Sequence, residues 1–430
     1  MTAVHASADK PGRPALHLTA RSGWVNDPHG LTYHNGRYHL FYQHIPGSTR
    51  WREDCTWGHA SSSDLASWTE HPPALTPGDG DLGCWSGGLC TPTDQPAVIF
   101  YTSADKPQQD LASVRVARPR DDTWISWDKG PVVVTPPPGH DLRAFRDPTV
   151  FWDRSVWRMI VGAGYADGTA AVLSFSSADL NEWTFDGVAA QRHVGEQQPI
   201  WTGQVWECPQ LVAIGDRHVL IVSVWADGEG HYVAAAVGSY RDGTFNAERW
   251  TRLTHGHTDH YAASAFIDSN GRPGLTFWIR GIGDHAAGWM GAISIPYRIS
   301  LVDGNVSLTP HPDIRRSHPE MVGVLGLDWT PSADKPTDQL SIRSASGQTL
   351  ATLETSSNLL TVSSPGGVVQ LPLGPGPVHV LADGPVLEIC TGPSLAALPI
   401  ESTSSRPLAI DHPNVTIWPA TLRLSKSPMQ

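Results

Sequence analysis

Residues 24–30 read WVNDPHG and place an aspartate, Asp27, between an asparagine and a proline. Apolar and polar residues then alternate through residues 31–42, which is the pattern of a β-strand with one buried face. The dipeptide Asn35-Gly36 interrupts this pattern, and Asn-Gly is a strong signal for a tight hairpin turn. The stretch therefore predicts a β-hairpin with a carboxylate at the start of its first strand.

The same layout of strand, turn and strand recurs along the chain. Further units begin near residues 86, 147, 207 and 262, so the spacings from the first unit onward are 59, 61, 60 and 55 residues. A shorter motif, DLASW at 64–68, recurs 115 residues later as DLNEW at 179–183, about two units further on. A fixed period of all-β units is typical of a β-propeller, and five units of four strands use roughly 300 residues.

Three acidic residues occupy the same place in their units: Asp27, Asp147 and Glu207. An acidic residue also starts turns for purely structural reasons, which would explain any one of them alone. In a propeller, equivalent positions on the innermost strands surround the central axis, so these three carboxylates should meet at one end of a channel. Crowded carboxylates push their pKa values apart, which lets one act as an acid while another acts as a nucleophile. The shared register favours a catalytic site over turn formation.

The residues around these carboxylates resemble a known family. WVNDPHG at 24–30 is similar to the signature usually written WMNDPNG in glycoside hydrolase family 32. FRDP at 145–148 and WECP at 206–209 match two further motifs of that family, in the same order. The resemblance runs from about residue 17 to about residue 310, and more weakly to the end. The family comprises invertases, inulinases, levanases and related fructosyltransferases. Its members have a five-bladed β-propeller followed by a β-sandwich, so the resemblance implies an all-β chain with a five-bladed β-propeller and a C-terminal β-sandwich.

The resemblance also implies a role for each carboxylate. Asp27 would be the nucleophile, Glu207 the general acid and base, and Asp147 the stabiliser of the transition state in a retaining reaction through a covalent fructosyl-enzyme. Arg146 should keep its neighbour Asp147 ionised. The residues expected to contact the substrate are Asn26, Gln43, Trp51, Trp85, Ser86, Arg146, Asp259 and Trp278. No cofactor is expected.

Two positions depart from the family's motifs, and one further segment contains possible metal ligands. His29 replaces the second asparagine of the signature, and Gln210 stands where relatives usually carry aspartate after WECP, so both are candidates for a changed leaving-group preference. The segment HGHTDHYA at 255–262 contains ligand types that zinc prefers. No second cluster of ligands supports a metal, and the segment resembles the family's DFYA motif with His260 in the phenylalanine position. No metal is therefore predicted.

The chain divides into two predicted domains. Residues 1–16 are polar and contain proline, which predicts a loose N-terminal arm. The propeller is expected over 17–318, a linker over 319–337, and a sandwich of short alternating strands over 338–430. No cluster of carboxylates appears in the sandwich, so we expect it to be structural and expect Glu388, its most strand-embedded acid, to affect stability more than turnover.

Composition limits the partners and the compartment. The chain has 30 Lys and Arg against 42 Asp and Glu, a net charge of −12, and no basic run, so nucleic acid and membrane are poor partners and a small neutral fructoside suits it. Residues 1–20 contain no apolar signal segment, and the five cysteines form no framework, which predicts reduced thiols and a cytoplasmic protein. Cys84 and Cys90 are near enough to bridge, but free thiols are favoured. Nothing in the sequence indicates an oligomeric state.

The sequence therefore predicts a retaining β-fructofuranosidase that hydrolyses the terminal β-D-fructofuranosyl bond of sucrose or short fructo-oligosaccharides. A fructan exohydrolase and a fructosyltransferase of the same family stay open. A sucrose-6-phosphate hydrolase also stays open but is less favoured. One phosphate could pair with the guanidinium group of Arg50 or Arg52 beside Trp51, yet these arginines look like surface charges rather than a phosphate clamp. An arabinanase-like enzyme and a non-catalytic sugar-binding relative are disfavoured by the three motifs and the three intact carboxylates.

Overall fold

A computed structural model describes residues 12–105, 110–256, 260–317, 323–332, 335–402, 408–409, 412 and 414–418. Regular structure in these ranges is β-strand apart from the short helix Pro312–Ser317. Within them the strands form five four-stranded blades and then two further sheets. The innermost strands of successive blades contact one another, and the fifth contacts the first, which closes the ring. The predicted fold class, an all-β five-bladed β-propeller followed by a β-sandwich, is confirmed.

Each blade is an antiparallel meander whose first strand is innermost. Blade 1 consists of Gly23–His34, Arg37–Ile45, Thr56–Ser62 and Thr69–Leu75. Blade 2 consists of Gly83–Cys90, Val98–Ala104, Ser113–Pro119 and Trp127–Val134. Blade 3 consists of Leu142–Asp153, Val156–Tyr165, Thr169–Ser177 and Thr184–His193. Blade 4 consists of Val205–Ile214, Arg217–Ala226, Glu229–Arg241 and Thr244–Arg252. Blade 5 consists of His260–Ile267, Pro273–Asp284, Tyr297–Val302 and Asn305–Pro310.

The sequence repeats correspond to repeated turns. In the first hairpin Asn35 and Gly36 both have positive φ, 48° and 79°, as a two-residue hairpin turn of the right twist requires. The DLxxW motifs form the turn between the third and fourth strands of blades 1 and 3. The carboxylate of Asp64 accepts the backbone N–H groups two and three residues ahead at 3.0 and 2.8 Å, and that of Asp179 does the same at 2.9 and 3.0 Å. The motif recurs because one side chain builds the turn.

The ring is closed between the last blade and the first. The strand Trp289–Ile293 pairs antiparallel with Pro273–Asp284 of blade 5 and parallel with residues 23–24 of blade 1. The carbonyl of Leu18 also accepts the N–H of Ile293 at 2.8 Å. Apolar side chains packed between adjacent blades form the propeller core. The ring therefore holds the five innermost strands at fixed positions around the axis.

Two sheets follow the propeller. One has the described strand order Thr254–His255, Leu395–Pro399, Val386–Cys390, Val378–Asp383, Val324–Trp329 and Val415–Ile417. The other has the order Gly367–Pro372, Leu359–Ser364, Thr349–Ser356, Thr337–Arg343 and Leu408–Ala409. Buried aliphatic side chains and Trp329 form the core of this sandwich. Because the first-named strand belongs to the end of blade 4, one sheet crosses the junction between propeller and sandwich.

The structure bears on where the second domain starts. The range 319–337, predicted as a linker, contains the strand Val324–Trp329, which pairs along its length with Val378–Asp383 in the sandwich. We therefore propose that the second domain begins near residue 323 rather than at 338. At the other end, Leu16 of the predicted arm is 1% exposed and its N–H donates to Asp383 at 2.8 Å. The remaining limits stay predictions, and residues 1–11 lie outside the described part.

A buried group of charged side chains links the two domains. His17 Nδ1 lies 2.7 Å from Asp383 Oδ2, and His17 Nε2 lies 2.7 Å from Glu388 Oε2. Only a protonated ring can donate at both nitrogens. Burial opposes this charge, but Glu388 and Asp383 outweigh it and raise the pKa of His17 to about 9. Burial likewise disfavours the Glu388 carboxylate, yet His17 and His260 bring its pKa down to about 2.

The five cysteines are buried and are not paired with one another. Cys84 and Cys90 lie near the two ends of the strand Gly83–Cys90. Six residues of extended strand separate their Cα atoms by roughly 20 Å, far beyond the reach of a disulfide. In the part of the chain that the structure describes, no helix has the length and apolarity needed to cross a bilayer.

The group formed by His17, His260, Asp383 and Glu388, here called the His17 cluster, predicts that the stability of the protein depends on pH. His17→Ala should lower the free energy of unfolding by about 3 kcal/mol near pH 6, because two buried carboxylates lose their cation. A raised histidine pKa contributes stability that is fully present below about pH 6.5 and is lost as the pH rises through about 9. The difference between the variant and the wild type should therefore shrink over that interval.

The measurement is the midpoint of chemical unfolding from pH 5 to pH 10. The exposed His285 provides the matched control, since His285→Ala should show no such trend. A loss of stability in His17→Ala that is the same at pH 6 and pH 9.5 would contradict the assignment.

Candidate active site

The innermost strand of every blade is irregular near its start. The pairing register shifts between residues 25 and 28, 85 and 87, 146 and 149, 207 and 210, and 261 and 264. A β-bulge bends its strand and changes the direction of the side chains beside it. The five bulges lie at the same level of the ring. They bring Asp27, Asp147 and Glu207, from three different blades, to one pocket.

Asp27 is held by hydrogen bonds from blades 1 and 2. Ser86 Oγ donates to Asp27 Oδ2 at 2.5 Å, and Asn26 Nδ2 donates to Asp27 Oδ1 at 3.0 Å. Gln43 Nε2 donates to Ser86 Oγ at 2.7 Å, and Gln43 Oε1 accepts from Asn26 at 2.5 Å. Trp24 Nε1 donates to Asn26 Oδ1 at 2.9 Å and completes the network. Both oxygens of the Asp27 carboxylate are thus fixed in direction.

Asp147 lies at a strained point of blade 3. Its φ is 66°, and its side chain accepts the backbone N–H of Cys208 at 2.9 Å while its own N–H donates to Thr102 Oγ1 at 2.8 Å. Cys208 has a φ of 47°, and its sulfur lies 3.6 Å from a carboxylate oxygen of both Asp147 and Asp27. Such backbone conformations cost about 1–3 kcal/mol each and persist where the surrounding structure enforces them. The two strained residues therefore lie where blade 3 contacts blade 4, next to Asp27.

Glu207 lies between a guanidinium group and a phenol. Arg146 Nε donates to Glu207 Oε1 at 3.0 Å, and the Tyr261 hydroxyl donates to Glu207 Oε2 at 2.6 Å. The Arg146 guanidinium also stacks 5.7 Å from the ring centroid of Trp225. Although Glu207 belongs to blade 4, side chains of blades 3 and 5 therefore set the direction of its carboxyl group.

These side chains open into a pocket of about 410 Å³, a size that suits a small ligand. The three predicted catalytic residues line it. The predicted substrate contacts that also line it are Asn26, Gln43, Trp51, Trp85, Ser86, Arg146 and Trp278. The remaining predicted contact, Asp259, lies outside the described residues.

The wall of the pocket also contains residues that are not among the eight predicted substrate contacts: Trp24, Asp110, Trp225, Glu229 and Tyr261. Trp24 lies in the WVNDPHG motif and Tyr261 in the segment HGHTDHYA, so the position of each residue in its motif indicated that it lies near the pocket. Trp225 pairs with Val205 at the pocket end of blade 4, and Glu229 begins the next strand. Asp110 belongs to a segment without strand periodicity, and no sequence signal pointed to it.

Aromatic rings form two sides of the pocket. Trp51 is 46% exposed and meets Trp85 edge to face with ring centroids 6.1 Å apart. On another side Trp24 and Trp278 meet edge to face at 5.6 Å. Indole faces pack well against the C–H surfaces of sugars, and the N–H groups of Trp24 and Trp85 are already bonded to Asn26 and to the carbonyl of Glu53. The pocket thus combines aromatic walls with carboxylates at its base.

The base of the pocket concentrates negative charge in a desolvated place. Burial, and then the charge on Glu207, raise the pKa of Asp27 against hydrogen bonds from Ser86 and Asn26. Burial and Glu207 also raise the pKa of Asp147 to about 7, against the attraction of Arg146. Arg146 thus favours the ionised form of Asp147, but burial and Glu207 outweigh that attraction. The donors of Arg146 point to Glu207 at 3.0 Å and, more weakly, to Asp110 at 3.5 Å.

The two departures from the family's motifs lie away from the pocket. Gln210 is 7% exposed, accepts the N–H of Ala265 at 3.0 Å and donates to Thr149 Oγ1 at 3.0 Å, so it braces blades 3, 4 and 5 across the channel. His29 is buried and stacks on Trp57 with centroids 4.5 Å apart. A direct contact of either side chain with a leaving group is therefore excluded, because both are used in packing.

Other sequence candidates also lie outside the pocket. Arg50 and Arg52 are exposed, neither lines the pocket, and Arg52 pairs with Asp54 at 2.9 Å, as expected for surface charges. His255 contacts Ser394 Oγ at 3.1 Å. Over the residues that the structure describes, no group of three or more His, Cys, Asp and Glu could hold a metal ion.

The raised pKa of Asp147 predicts that this residue lowers the stability of the protein. Between about pH 4 and pH 7 the folded protein binds more protons at this site than the unfolded chain, so stability falls as the pH rises. Asp147→Asn removes that dependence and keeps an oxygen that accepts the Cys208 N–H. The variant should gain on the order of 1–2 kcal/mol in free energy of unfolding at pH 8 and much less at pH 4. Chemical unfolding at both pH values measures this, and a loss of stability at pH 8 would refute it.

Sequence relatives agree with these motifs. Residues 17–312 match the glycosyl hydrolases family 32 N-terminal domain. A sucrose-6-phosphate hydrolase of Escherichia coli is 33% identical over 317 residues, which are 69% of this chain and 64% of that protein. A fructan 1-exohydrolase of Triticum urartu is 32% identical over 336 residues, which are 70% of this chain and 54% of that protein. The chain thus spans less than two thirds of the length of these relatives.

Solved structures agree on the fold. The GH32 beta-fructofuranosidase of Bombyx mori superposes with a TM-score of 0.80 at 24% identity, covering 94% of this chain and 93% of that one. A variant of fructan 1-exohydrolase IIa from Cichorium intybus in complex with 1-kestose superposes with a TM-score of 0.76 at 19% identity, covering 92% of each chain. The family motifs on three blades, the match over residues 17–312 and the shared architecture lead to one conclusion: this chain belongs to glycosyl hydrolase family 32.

Proposed function

We propose that this protein is a retaining β-fructofuranosidase that hydrolyses the terminal β-D-fructofuranosyl bond of sucrose or of short fructo-oligosaccharides. The observation that carries the proposal is the meeting of Asp27, Asp147 and Glu207 in one pocket, with Glu207 hydrogen-bonded by a cation and a phenol. Membership of family 32 supports the reaction class. Fructan exohydrolysis and fructosyl transfer stay open as variants of the same chemistry.

In the first step Asp27 attacks the anomeric carbon of the fructosyl unit. Ser86 and Asn26 each donate to one of its oxygens, which orients the carboxylate for attack. Glu207 gives its proton to the glycosidic oxygen, the bond from that oxygen to the anomeric carbon breaks, and the leaving sugar departs as an alcohol. The product is an ester between Asp27 and fructose.

In the second step Glu207, now a carboxylate, takes a proton from water. The resulting hydroxide oxygen attacks the anomeric carbon, the ester bond breaks, and Asp27 is released as a carboxylate with free fructose. Two inversions at one carbon give net retention. Asp147 is assigned to the ring hydroxyl groups, where its hydrogen bonds strengthen as positive charge develops on the sugar ring.

The charges around the pocket favour a neutral leaving group. Asp110 and Glu229 line its outer wall, and among the described lining residues Arg146 is the cation. Arg146 is already paired with Glu207 at 3.0 Å and approaches Asp110 at 3.5 Å. Among the lining residues that the structure describes, a phosphate on the leaving sugar would meet carboxylates and no unpaired guanidinium or ammonium group. The name of the Escherichia coli relative makes sucrose 6-phosphate the second candidate substrate, and this charge pattern argues against it.

The first test removes the carboxylates in turn. Asp27→Ala and Glu207→Ala should each lower kcat/KM on sucrose on the order of 10⁴-fold or more while the protein stays folded. Asp216→Ala, which removes an exposed turn carboxylate at the far end of blade 4, is the matched control and should keep wild-type activity.

An aryl β-D-fructofuranoside separates the two roles. Its leaving group needs no acid, so Glu207→Ala should release the phenol in a burst and then turn over slowly, whereas Asp27→Ala should show no burst. Near-normal activity of Asp27→Ala on every fructoside would refute the site.

The second test is selectivity. The value of kcat/KM should be at least about tenfold higher for sucrose than for sucrose 6-phosphate, because like charges brought together cost several kcal/mol. Glu229→Gln should narrow the ratio, as should high salt, which screens exposed charges. Including 1-kestose and long inulin in the same series tests chain length. Preference for the phosphorylated sugar or for the polymer would overturn the proposed substrate.

A further inference from the structure

Glu388 belongs to the sandwich but forms its hydrogen bonds with the propeller. It is 1% exposed and accepts from His260 Nε2 at 2.5 Å, from His17 Nε2 at 2.7 Å and from the N–H of Ile295 at 3.3 Å. The hydroxyl of Tyr297 also hydrogen-bonds to it. From the sequence we expect Glu388 to affect stability more than turnover. The structure adds that one of its partners adjoins the pocket.

His260 and Tyr261 are consecutive residues at the start of the innermost strand of blade 5. Successive side chains of a strand point to opposite faces. The ring of His260 contacts Glu388 on the sandwich side, and the hydroxyl of Tyr261 donates to Glu207 at 2.6 Å on the pocket side. The peptide unit between them therefore links the Glu388 carboxylate to the Glu207 carboxylate.

The backbone at this point needs to be held in place. Ala262, the next residue, has a φ of 49°, and the bulge of blade 5 lies between residues 261 and 264. A non-glycine residue in this conformation is strained and persists only where its surroundings enforce it. A histidine that is 0% exposed also requires a hydrogen-bond partner, which a phenylalanine at the same position would not. Glu388 supplies that partner directly behind the strained residues.

We propose that Glu388 is a positioning residue for the acid and base Glu207, acting through the side chain of His260 and the backbone of Tyr261. The inference rests on the proposed function, because it takes Glu207 as the acid and base. It gives the second domain a defined part in the geometry of the pocket: the sandwich fixes the tyrosine that directs one oxygen of the carboxyl group.

The charged and titratable groups at the two ends of this link come from several elements. Facing Glu388 are His17 from the segment before blade 1, His260 and Tyr297 from blade 5, and, across His17, Asp383 from the sandwich. Facing Glu207 are Arg146 and Asp147 from blade 3, Tyr261 from blade 5, Asp27 from blade 1 and its neighbour Cys208.

The test compares the pH profiles of kcat for the wild type, Glu388→Gln and His260→Leu. Both variants should lower kcat roughly tenfold with little change in KM, because displacement of a catalytic group by about 1 Å can cost about a hundredfold. The alkaline limb of the profile should move to higher pH, since a carboxyl group that loses a hydrogen-bond donor holds its proton more tightly. His260→Gln, which keeps a donor near the position of Nε2, should restore most of kcat.

Asp383→Asn is the matched control. It removes one buried carboxylate of the same cluster, which bonds His17 and the backbone of residues 15–17, with no hydrogen bond to His260. It should lower the melting temperature as Glu388→Gln does, yet leave kcat and its pH profile as in the wild type. The double variant Glu388→Gln with His260→Leu should lose no more kcat than either single variant, because both break one link.

A second readout does not depend on turnover. Hydrogen exchange in the strand at residues 260–267 should be faster in Glu388→Gln and His260→Leu than in the wild type, and unchanged in Asp383→Asn. If Glu388→Gln does not fold, the pair His260→Leu and His260→Gln decides in its place. If the wild type releases fructose but Glu388→Gln and Asp383→Asn have the same kcat profile, the positioning role is overturned. If the wild type cleaves no fructoside, the proposed function fails, and the exchange measurement still tests the link.

Discussion

The bulge at a common level of all five innermost strands is the constraint on which the pocket depends. It changes the direction of the backbone where a regular strand would point alternate side chains to opposite faces, and it does so five times around one axis. Asp147 and Cys208 take backbone conformations that a free chain avoids. The packed ring enforces these conformations. As a result, the carboxylates of Asp27 and Asp147 lie close enough together that both contact the sulfur of Cys208.

Such crowding needs compensation, and different blades provide it. Hydroxyl and amide donors hold Asp27, a backbone N–H holds Asp147, and Arg146 with Tyr261 holds Glu207. Arg146 serves Glu207 rather than its sequence neighbour, so Asp147 keeps a pKa raised to about 7 by burial and by Glu207. Burial and the neighbouring carboxylates thus favour the protonated form of Asp147 and of Asp27.

The second domain shares a sheet and buried ion pairs with the propeller. The strand Thr254–His255 at the end of blade 4 extends a sandwich sheet, and Glu388 reaches two histidines of the propeller part of the chain. Because buried charges are stable only when paired, the His17 cluster fixes how the domains meet. The same cluster adjoins the strand that carries Tyr261. Stability of the junction and geometry of the pocket thus depend on shared residues.

The sequence by itself determined the all-β class, the five-unit period and the set of three carboxylates, because strand alternation, turn chemistry and the WVNDPHG, FRDP and WECP motifs are local. It also located most of the pocket lining through those motifs; the domain limits and the cytoplasmic location stay predictions. Only the tertiary structure decided which side chains from different blades and from the two domains contact each other. Arg146 pairs with Glu207 from the next blade, Asp110 and Trp225 join the pocket from segments without a motif, and Glu388 meets His260 across the domain junction. These contacts join residues distant in sequence, and their partners are set by ring closure and packing, which no local pattern encodes.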